Sequence, residues 1–223
     1  MTRTVAVTGA AGALGRTVVA HLRAAGWSVA AIDLGDPAHS DAALVLGGID
    51  LADEAAMATA ATRIAERFGQ LDGLVNIAGG FAWETVFDGS PATWDRLYHM
   101  NVRTTLVATR ALLPLLRAGG GAVVNIGAAA AAKAAAGMGA YAAAKSGVAR
   151  LTEALAEEWK DERIRVNAIL PSMIDTPANR RDMPDADFSR WVRTEELAAV
   201  VAFLLSPAAA PITGALIPVT GRV

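Results

Sequence analysis

The sequence predicts an α/β fold: a doubly wound sheet of about seven parallel strands with helices on both faces, in one domain spanning residues 1–223. Three observations predict it. Short apolar runs alternate with helical stripes along the whole chain. Hydrophobic residues make up 53% and are rich in Ala and Val, which suits helices packed closely on a sheet buried on both faces. The 223 residues are enough for one sizeable buried core, and no linker, repeat or change of composition divides them.

The first strand is the apolar run Thr4–Val7. Thr8-Gly9-Ala-Ala-Gly12-Ala13-Leu14-Gly15 follows, and Leu14, Val18, Val19 and Leu22 begin a helical stripe that ends near Gly26. A strand, a Gly-rich turn and a helix start make an anion site, because free backbone N–H groups and the helix dipole face a phosphate. The second strand runs from Ser28 and closes on Asp33. A carboxylate there can accept hydrogen bonds from both ribose hydroxyls of an adenosine and would repel a 2′-phosphate; its other role is an ordinary turn residue. Leu34 follows, and the 8–15 loop carries no Arg or Lys, so NAD(H) is expected to be preferred, with NADP(H) possible. The 35–43 segment is too short and polar for a long crossover helix. The third strand is Leu44 to Ile49, followed by Asp50-Leu51, where the acid either caps the next helix or contacts adenine. A helix is expected over 53–68 and a fourth strand over Leu71–Val75, leading into Asn76-Ile77-Ala78-Gly79-Gly80. Phe81 and Trp83 then lie at the carboxyl end of a strand, the edge where open α/β sheets bind ligands.

A long helix is expected over 91–117, bent at Pro114, with Leu97, Asn101, Ala108, Leu112 and Leu115 on its buried stripe. A buried amide must be bonded, so Asn101 either serves a local kink in the backbone or holds a water in the site. The fifth strand is 122–126 and the next helix 138–160. That helix carries Tyr141 and Lys145, whose i, i+4 spacing puts phenol and ammonium on one face. A cation beside a phenol favours the phenolate, so the Tyr141 pKa is expected to fall from about 10, giving a group that donates or accepts a proton near neutrality. The sixth strand, Ile164–Leu170, leads into Pro171-Ser172-Met173-Ile174-Asp175-Thr176 and a lid-like segment over 178–191. Thr194 caps a helix through Leu205, and Leu216–Val219 is the last strand.

A net charge of -2 gives no electrostatic case for nucleic acid or a membrane surface, and no apolar run is long enough to span a bilayer. Without cysteine there is neither a disulfide framework nor a thiolate metal site. His21, His39 and His99 are scattered, with no metal-ligand spacing. Residues 1–8 read as a strand and not a signal peptide, so a cytoplasmic location is expected.

Taken together, Thr8-Gly9…Ala13-Leu14-Gly15, Asp33, Asp50, Asn76-Ile-Ala-Gly79, Asn101, Tyr141-x-x-x-Lys145 and Pro171…Thr176 resemble the short-chain dehydrogenase/reductase family over essentially the whole chain. The resemblance implies a Rossmann-type fold, a cofactor half of about 1–125 and a catalytic half of about 126–223. It implies a small-molecule substrate, with Tyr141, Lys145 and Asn101 catalytic. It further implies that Gly9, Gly12, Ala13, Leu14, Gly15, Asp33, Leu34, Asp50, Leu51, Asn76, Ala78, Gly79, Tyr141, Lys145, Pro171, Ile174 and Thr176 bind the dinucleotide. Family members commonly pair through the two long helices, so a homodimer or homotetramer is expected.

Three positions depart from the family pattern. Ala13 stands where Gly is common, and Ile77 replaces the second Asn of the Asn-Asn-Ala-Gly signature. The usual catalytic Ser is Ala128, and residues 128–132 are all Ala. The dihydropteridine reductases lack that Ser too, and the chain resembles them through Leu170–Trp191, Ala78-Gly-Gly-Phe81 and Gly137-Met138-Gly-Ala-Tyr141. A Thr-Gly first loop and Asn101 instead match ordinary reductases. Phe81, Trp83, Met138, Met173 and Trp191, beside Ala128, are the candidate walls of a flat apolar substrate pocket, with core packing as their other role. The function expected is hydride transfer to a quinonoid dihydropteridine-like ring or a carbonyl. The competing readings are a general ketone, 3-oxoacyl-type or alcohol oxidoreductase, and a dinucleotide-binding sensor weakened by Ala128.

Overall fold

Strand and helix alternate along most of the computed structural model, which describes residues 2–37 and 41–223; His39 lies outside the described residues. The first half comprises β1 (Thr4–Thr8), α1 (Ala13–Ala24), β2 (Ser28–Ile32), β3 (Leu44–Leu46), α2 (Glu54–Phe68), β4 (Gly73–Asn76), α3 (Pro91–Tyr98), a π-helical turn (His99–Arg103), α4 (Thr104–Arg117) and β5 (Gly121–Ile126). The second half comprises α5 (Gly139–Trp159), β6 (Ile164–Pro171), β7 (Ile174–Asp175), α6 (Pro177–Asp182), β8 (Val192–Arg193), α7 (Thr194–Leu205) and β9 (Leu216–Val219). Among the described residues, seven strands form one parallel sheet in the order β3-β2-β1-β4-β5-β6-β9, while β7 and β8 pair separately. The order reverses between β1 and β4, which opens a crevice at the carboxyl ends of those strands.

The period-2 alternation of side chains divides the core in two. Val5 and Val7 of β1, with Ala122, Val124 and Ile126 of β5, pack toward α1 and α7. Ala6 and Val123 face the other side, against α2, α4 and α5. The small side chains Ala142, Ala149 and Ala156 are all buried on α5. A third cluster, Leu97, Val102, Ala140, Ala144 and Val148, joins α3 to α5.

The expected helix over 91–117 exists, but its irregularity lies at His99–Arg103, and the chain continues as α-helix past Pro114. One amide explains the position. Asn101 is fully buried; its Nδ2 donates to Leu97 O (2.9 Å) and Gly80 O (3.1 Å), and its Oδ1 accepts from Gly80 N (3.3 Å). Thr105 Oγ1 donates to the Asn101 carbonyl at 2.8 Å. The extra residue of the π-turn shifts the buried stripe, so Leu116 is fully buried and Leu115 only partly.

Smaller differences have local causes. β3 stops at Leu46, before Gly47-Gly48. Asp53, not Asp50, caps α2, accepting from Ala55 N at 2.7 Å and Ala56 N at 3.2 Å. Thr194 is the first residue of α7, whose start is held by Glu196 accepting from Arg193 N at 2.9 Å. The 178–191 segment contains most of α6 and a 3-10 turn at Phe188–Arg190. No helix among the described residues is long and apolar enough to cross a membrane.

Candidate active site

At the crevice lies a cleft of about 1000 Å³. One wall is built by glycines where a side chain cannot fit. A Cβ at Gly9, whose φ is +68°, would lie 2.6 Å from Ala78 N, and one at Gly15 would lie 2.1 Å from Gly9 O. Gly12 precedes α1 and offers no side-chain cap, so the first-turn N–H groups of that 12-residue helix remain for a ligand. Asp33 stands on the same wall; Ala11 N donates to its Oδ2 and Gly35 N to its Oδ1, both at 2.8 Å, which fixes the carboxylate at the rim. Asp50 likewise lines the cleft and accepts from Ala52 N at 2.9 Å. Close-approach glycines, an uncapped helix start and a fixed carboxylate fit the pyrophosphate and ribose of a dinucleotide.

Tyr141 and Lys145 reach the cleft from α5. Lys145 is buried and its Nζ donates to Ile126 O at 2.8 Å, at the end of β5. It lies 6.0 Å from the centroid of the Tyr141 ring. Phe81 meets that ring edge-on, with centroids 5.0 Å apart and planes at 81°. The expected fall of the Tyr141 pKa does not occur: burial pushes it up, to about 12, and burial pushes Lys145 down, to about 8. Desolvation disfavours each charged form, and the ammonium is turned to a carbonyl and not to the phenol oxygen. Tyr141 therefore holds its proton across the neutral range and is poised as an acid.

The cleft brings together Gly9, Gly12, Ala13, Leu14, Gly15, Asp33, Leu34, Asp50, Leu51, Ala78, Gly79, Tyr141, Lys145, Pro171, Ile174 and Thr176, with Phe81 and Ala128 beside them. Asn76 and Asn101 are not on its surface. Asn76, 3% exposed, is turned into the sheet, where its Nδ2 donates to Thr109 Oγ1 and Asn125 Oδ1, both at 2.9 Å. Asn125 Nδ2 in turn donates to Thr152 Oγ1 at 2.9 Å, so a buried ladder runs from α4 through β4 and β5 to α5. The Asn101 amide serves the kink, where it is engaged by Leu97 and Gly80. Gly79 passes between it and the lysine, since a Cβ there would lie 2.5 Å from Asn101 Oδ1 and 3.4 Å from Lys145 Nζ.

Four of the proposed pocket side chains are not cleft walls. Trp191 is buried, tilted against Phe188 at 4.7 Å, because the chain closes a turn over Phe188–Arg190 immediately before β8. Trp83 is 64% exposed and lies over Gly137, where a Cβ would come within 2.1 Å of its indole. Met138 immediately precedes α5, and Met173 O accepts from Val192 N at 2.9 Å at the start of the parallel β7–β8 pair; neither lines the cleft. Sequence reasoning missed Arg16, His99, Thr104, Ser172 and Arg181, which do line it. Only the position of Arg16, one residue past the Gly-rich loop, gave a signal in the sequence. Ser172 offers no free donor in place of Ala128, because its hydroxyl donates to Thr220 O at 2.7 Å. Among residues 128–132, Ala129–Ala131 form a 3-10 turn, steadied by Ser146 Oγ donating to Ala131 O at 2.8 Å.

The family described as "Enoyl-(Acyl carrier protein) reductase" matches residues 9–221. The chain is 34% identical to D-threitol dehydrogenase of Mycolicibacterium smegmatis over 96% of its length and 90% of that protein's. It is 30% identical to levodione reductase of Leifsonia aquatica, covering 98% and 93% of the two. Its fold superposes with a TM-score of 0.87 on the 3-ketoacyl-(acyl-carrier-protein) reductase of Brucella melitensis complexed with NADH, at 28% identity over 99% of this chain and 98% of that one. With Tyr141 and Lys145 set against a glycine-walled cleft on a seven-stranded parallel sheet, the chain belongs to the short-chain dehydrogenase/reductase family and is an NAD(P)-dependent oxidoreductase.

Proposed function

We propose that the protein is an NADH-preferring reductase of a conjugated ring, of the quinonoid dihydropteridine type or a cyclic carbonyl equivalent. The observation that carries this reading is Ala128, buried at the cleft and followed by four further alanines, where a hydroxyl would otherwise meet a carbonyl oxygen. Removing such a donor costs about 2.7–4 kcal/mol in the transition state of a substrate that localises charge on one oxygen. A conjugated ring spreads that charge and depends less on the missing donor. The Phe81 ring, packed edge-on against Tyr141 and lining the same cleft, offers an apolar surface for such a ring.

Gly9, Gly12 and Gly15 would hold the pyrophosphate, Asp33 the adenosine ribose, and Lys145 the nicotinamide ribose, with Ile174 and Thr176 at the carboxamide end. When bound, the cofactor supplies the hydride. Tyr141 donates its phenolic proton to the substrate atom that gains negative charge. Lys145, charged below about pH 8, supports that transfer. The Asp33 carboxylate supports NADH over NADPH by repelling a 2′-phosphate. Self-association, through α4 and α5, is part of the same proposal; Trp94 and Tyr98 of adjoining α3 are 41% and 56% exposed. Sedimentation at micromolar concentration tests it, and a monomer would refute it. A cysteine-free chain suits the cytoplasm, which cell fractionation would check.

A general ketone or alcohol oxidoreductase is the second reading, favoured by the similarity to D-threitol dehydrogenase and levodione reductase. The deciding experiment is NADH oxidation with quinonoid dihydropterin beside a panel of ketones, quinones and imines, with NADPH in parallel. Pterin turnover with NADH preferred is the expected result. Ketone turnover without pterin turnover moves the protein to the second reading. Tight NADH binding with no turnover makes a dinucleotide sensor the correct description.

A further inference from the structure

Two adjacent arginines on α6 are placed differently. Arg180 is tied at the base of the helix, donating from Nε and Nη2 to the two oxygens of Asp175 at 2.6 and 2.7 Å. The same short helix is secured at its start by Thr176 Oγ1, which accepts from Asn179 N at 3.2 Å, and by Asn179 Nδ2 donating to Ile174 O at 2.8 Å. One face of α6 then lines the cleft through Pro177, Ala178 and Arg181, a spacing of i, i+1 and i+4. Arg181 is exposed on that face and has neither a hydrogen bond nor an ion pair among the described residues. No ion pair joins it to either cleft carboxylate among the described residues; the hydrogen bonds of Asp33 and Asp50 come from backbone N–H groups. Arg16, the other arginine on the wall, uses Nε on Ala11 O at 2.9 Å.

A guanidinium held on a secured helix, over a cleft and without a protein anion, is suited to two parallel hydrogen bonds with a phosphoryl, carboxylate or sulfonate group. We infer that Arg181 is an anion anchor for the molecule bound in the cleft, with Arg180 and Asp175 positioning the helix that presents it. The inference rests on the reading that the cleft takes a dinucleotide and an organic substrate. Two sources offer the same chemistry: the pyrophosphate of the cofactor, or an acidic substituent on the substrate.

The test uses the full-length chain with Arg181→Gln and Arg181→Lys. NADH affinity is read by fluorescence titration, and KM is read for paired substrates that differ only in carrying a carboxylate. Arg181→Gln is expected to weaken one of these by about tenfold, and Arg181→Lys to recover part of it. Weaker NADH binding with both KM values unchanged assigns the phosphoryl group. A KM rise confined to the acidic substrate, with NADH binding unchanged, assigns the substituent. Arg181 is exposed, so an unaltered circular dichroism spectrum is expected of both variants. If native protein binds NADH and neither quantity moves in Arg181→Gln, the anchor is overturned while the reading of the cleft stands. If native protein does not bind NADH at all, that reading fails first and the anchor falls with it.

Discussion

From Gly9 to Gly15, one wall of the cleft is shaped by backbone packed against backbone. A single methyl at Gly9 or Gly15 would meet main-chain atoms within 2.6 Å. The second wall is Gly127 and the methyl group of Ala128, beside a tyrosine and a lysine on α5. The first wall tolerates almost no addition and is matched to a ligand of fixed shape. The second carries little chemistry of its own beyond Tyr141 and Lys145, so substrate choice rests on what surrounds it. The contrast teaches that the two halves of one site can be constrained to very different degrees.

The largest expected effect falls on the second wall's one acid. Tyr141→Phe should lower kcat by about 10²–10⁴-fold while leaving NADH affinity unchanged, read by steady-state rates beside fluorescence titration. Undiminished turnover would mean that the proton comes from elsewhere. The next tests where the walls meet, at Lys145. Its pKa is lowered from 10.5 to about 8 by burial, so between those values the unfolded chain binds more protons than the folded one. Stability should therefore rise as pH goes from about 8 toward 10, by up to roughly 3 kcal/mol. Above the ordinary phenol value of 10.0 the raised Tyr141 acts in the opposite sense. Thermal denaturation of cofactor-free protein should show this rise, and Lys145→Met should abolish it.

Gly15→Ala sharpens the comparison directly. It should weaken NADH binding by about ten- to a hundredfold, an overpacking cost of about 1–3 kcal/mol, while Ala128→Ser on the other wall changes NADH affinity by less than about 0.5 kcal/mol. Equal effects at both positions would dissolve the distinction between the walls. The smallest expected effect is a gain: Ala128→Ser should raise ketone reduction by about tenfold, less than a native donor contributes because the surrounding turn was not shaped for it. A variant with no gain would show that the hydroxyl needs more than its position.

The glycine wall was legible in the sequence because its constraint is local. Gly9, Gly12 and Gly15 mark a turn between a strand and a helix, and Asp33 marks the end of the next strand. The Tyr141–Lys145 pair was legible from helical spacing, but the direction of the Tyr141 shift was not. Spacing reports that two groups share a face; it does not report that Ile126 O takes the ammonium or that burial outweighs the neighbouring charge. The π-turn was hidden for a related reason: the Asn101 amide bonds Gly80, which is 21 positions away. Trp191 was misplaced because a large aromatic beside a site reads alike whether it faces the ligand or, as here, packs against Phe188.

The π-turn has a consequence for insertions and deletions. Each residue of an α-helix advances the next by about 100°, so the extra residue within His99–Arg103 sets the rotation of α4 relative to α3. Removing one residue there would restore a continuous α register on paper. It would also turn Thr109, Leu112 and Leu116 about 100° away from the sheet or, if α4 held its place, swing Leu97 away from α5. The two ends of this helix are keyed to different partners, so chain length across the turn is under a constraint that no single side chain carries.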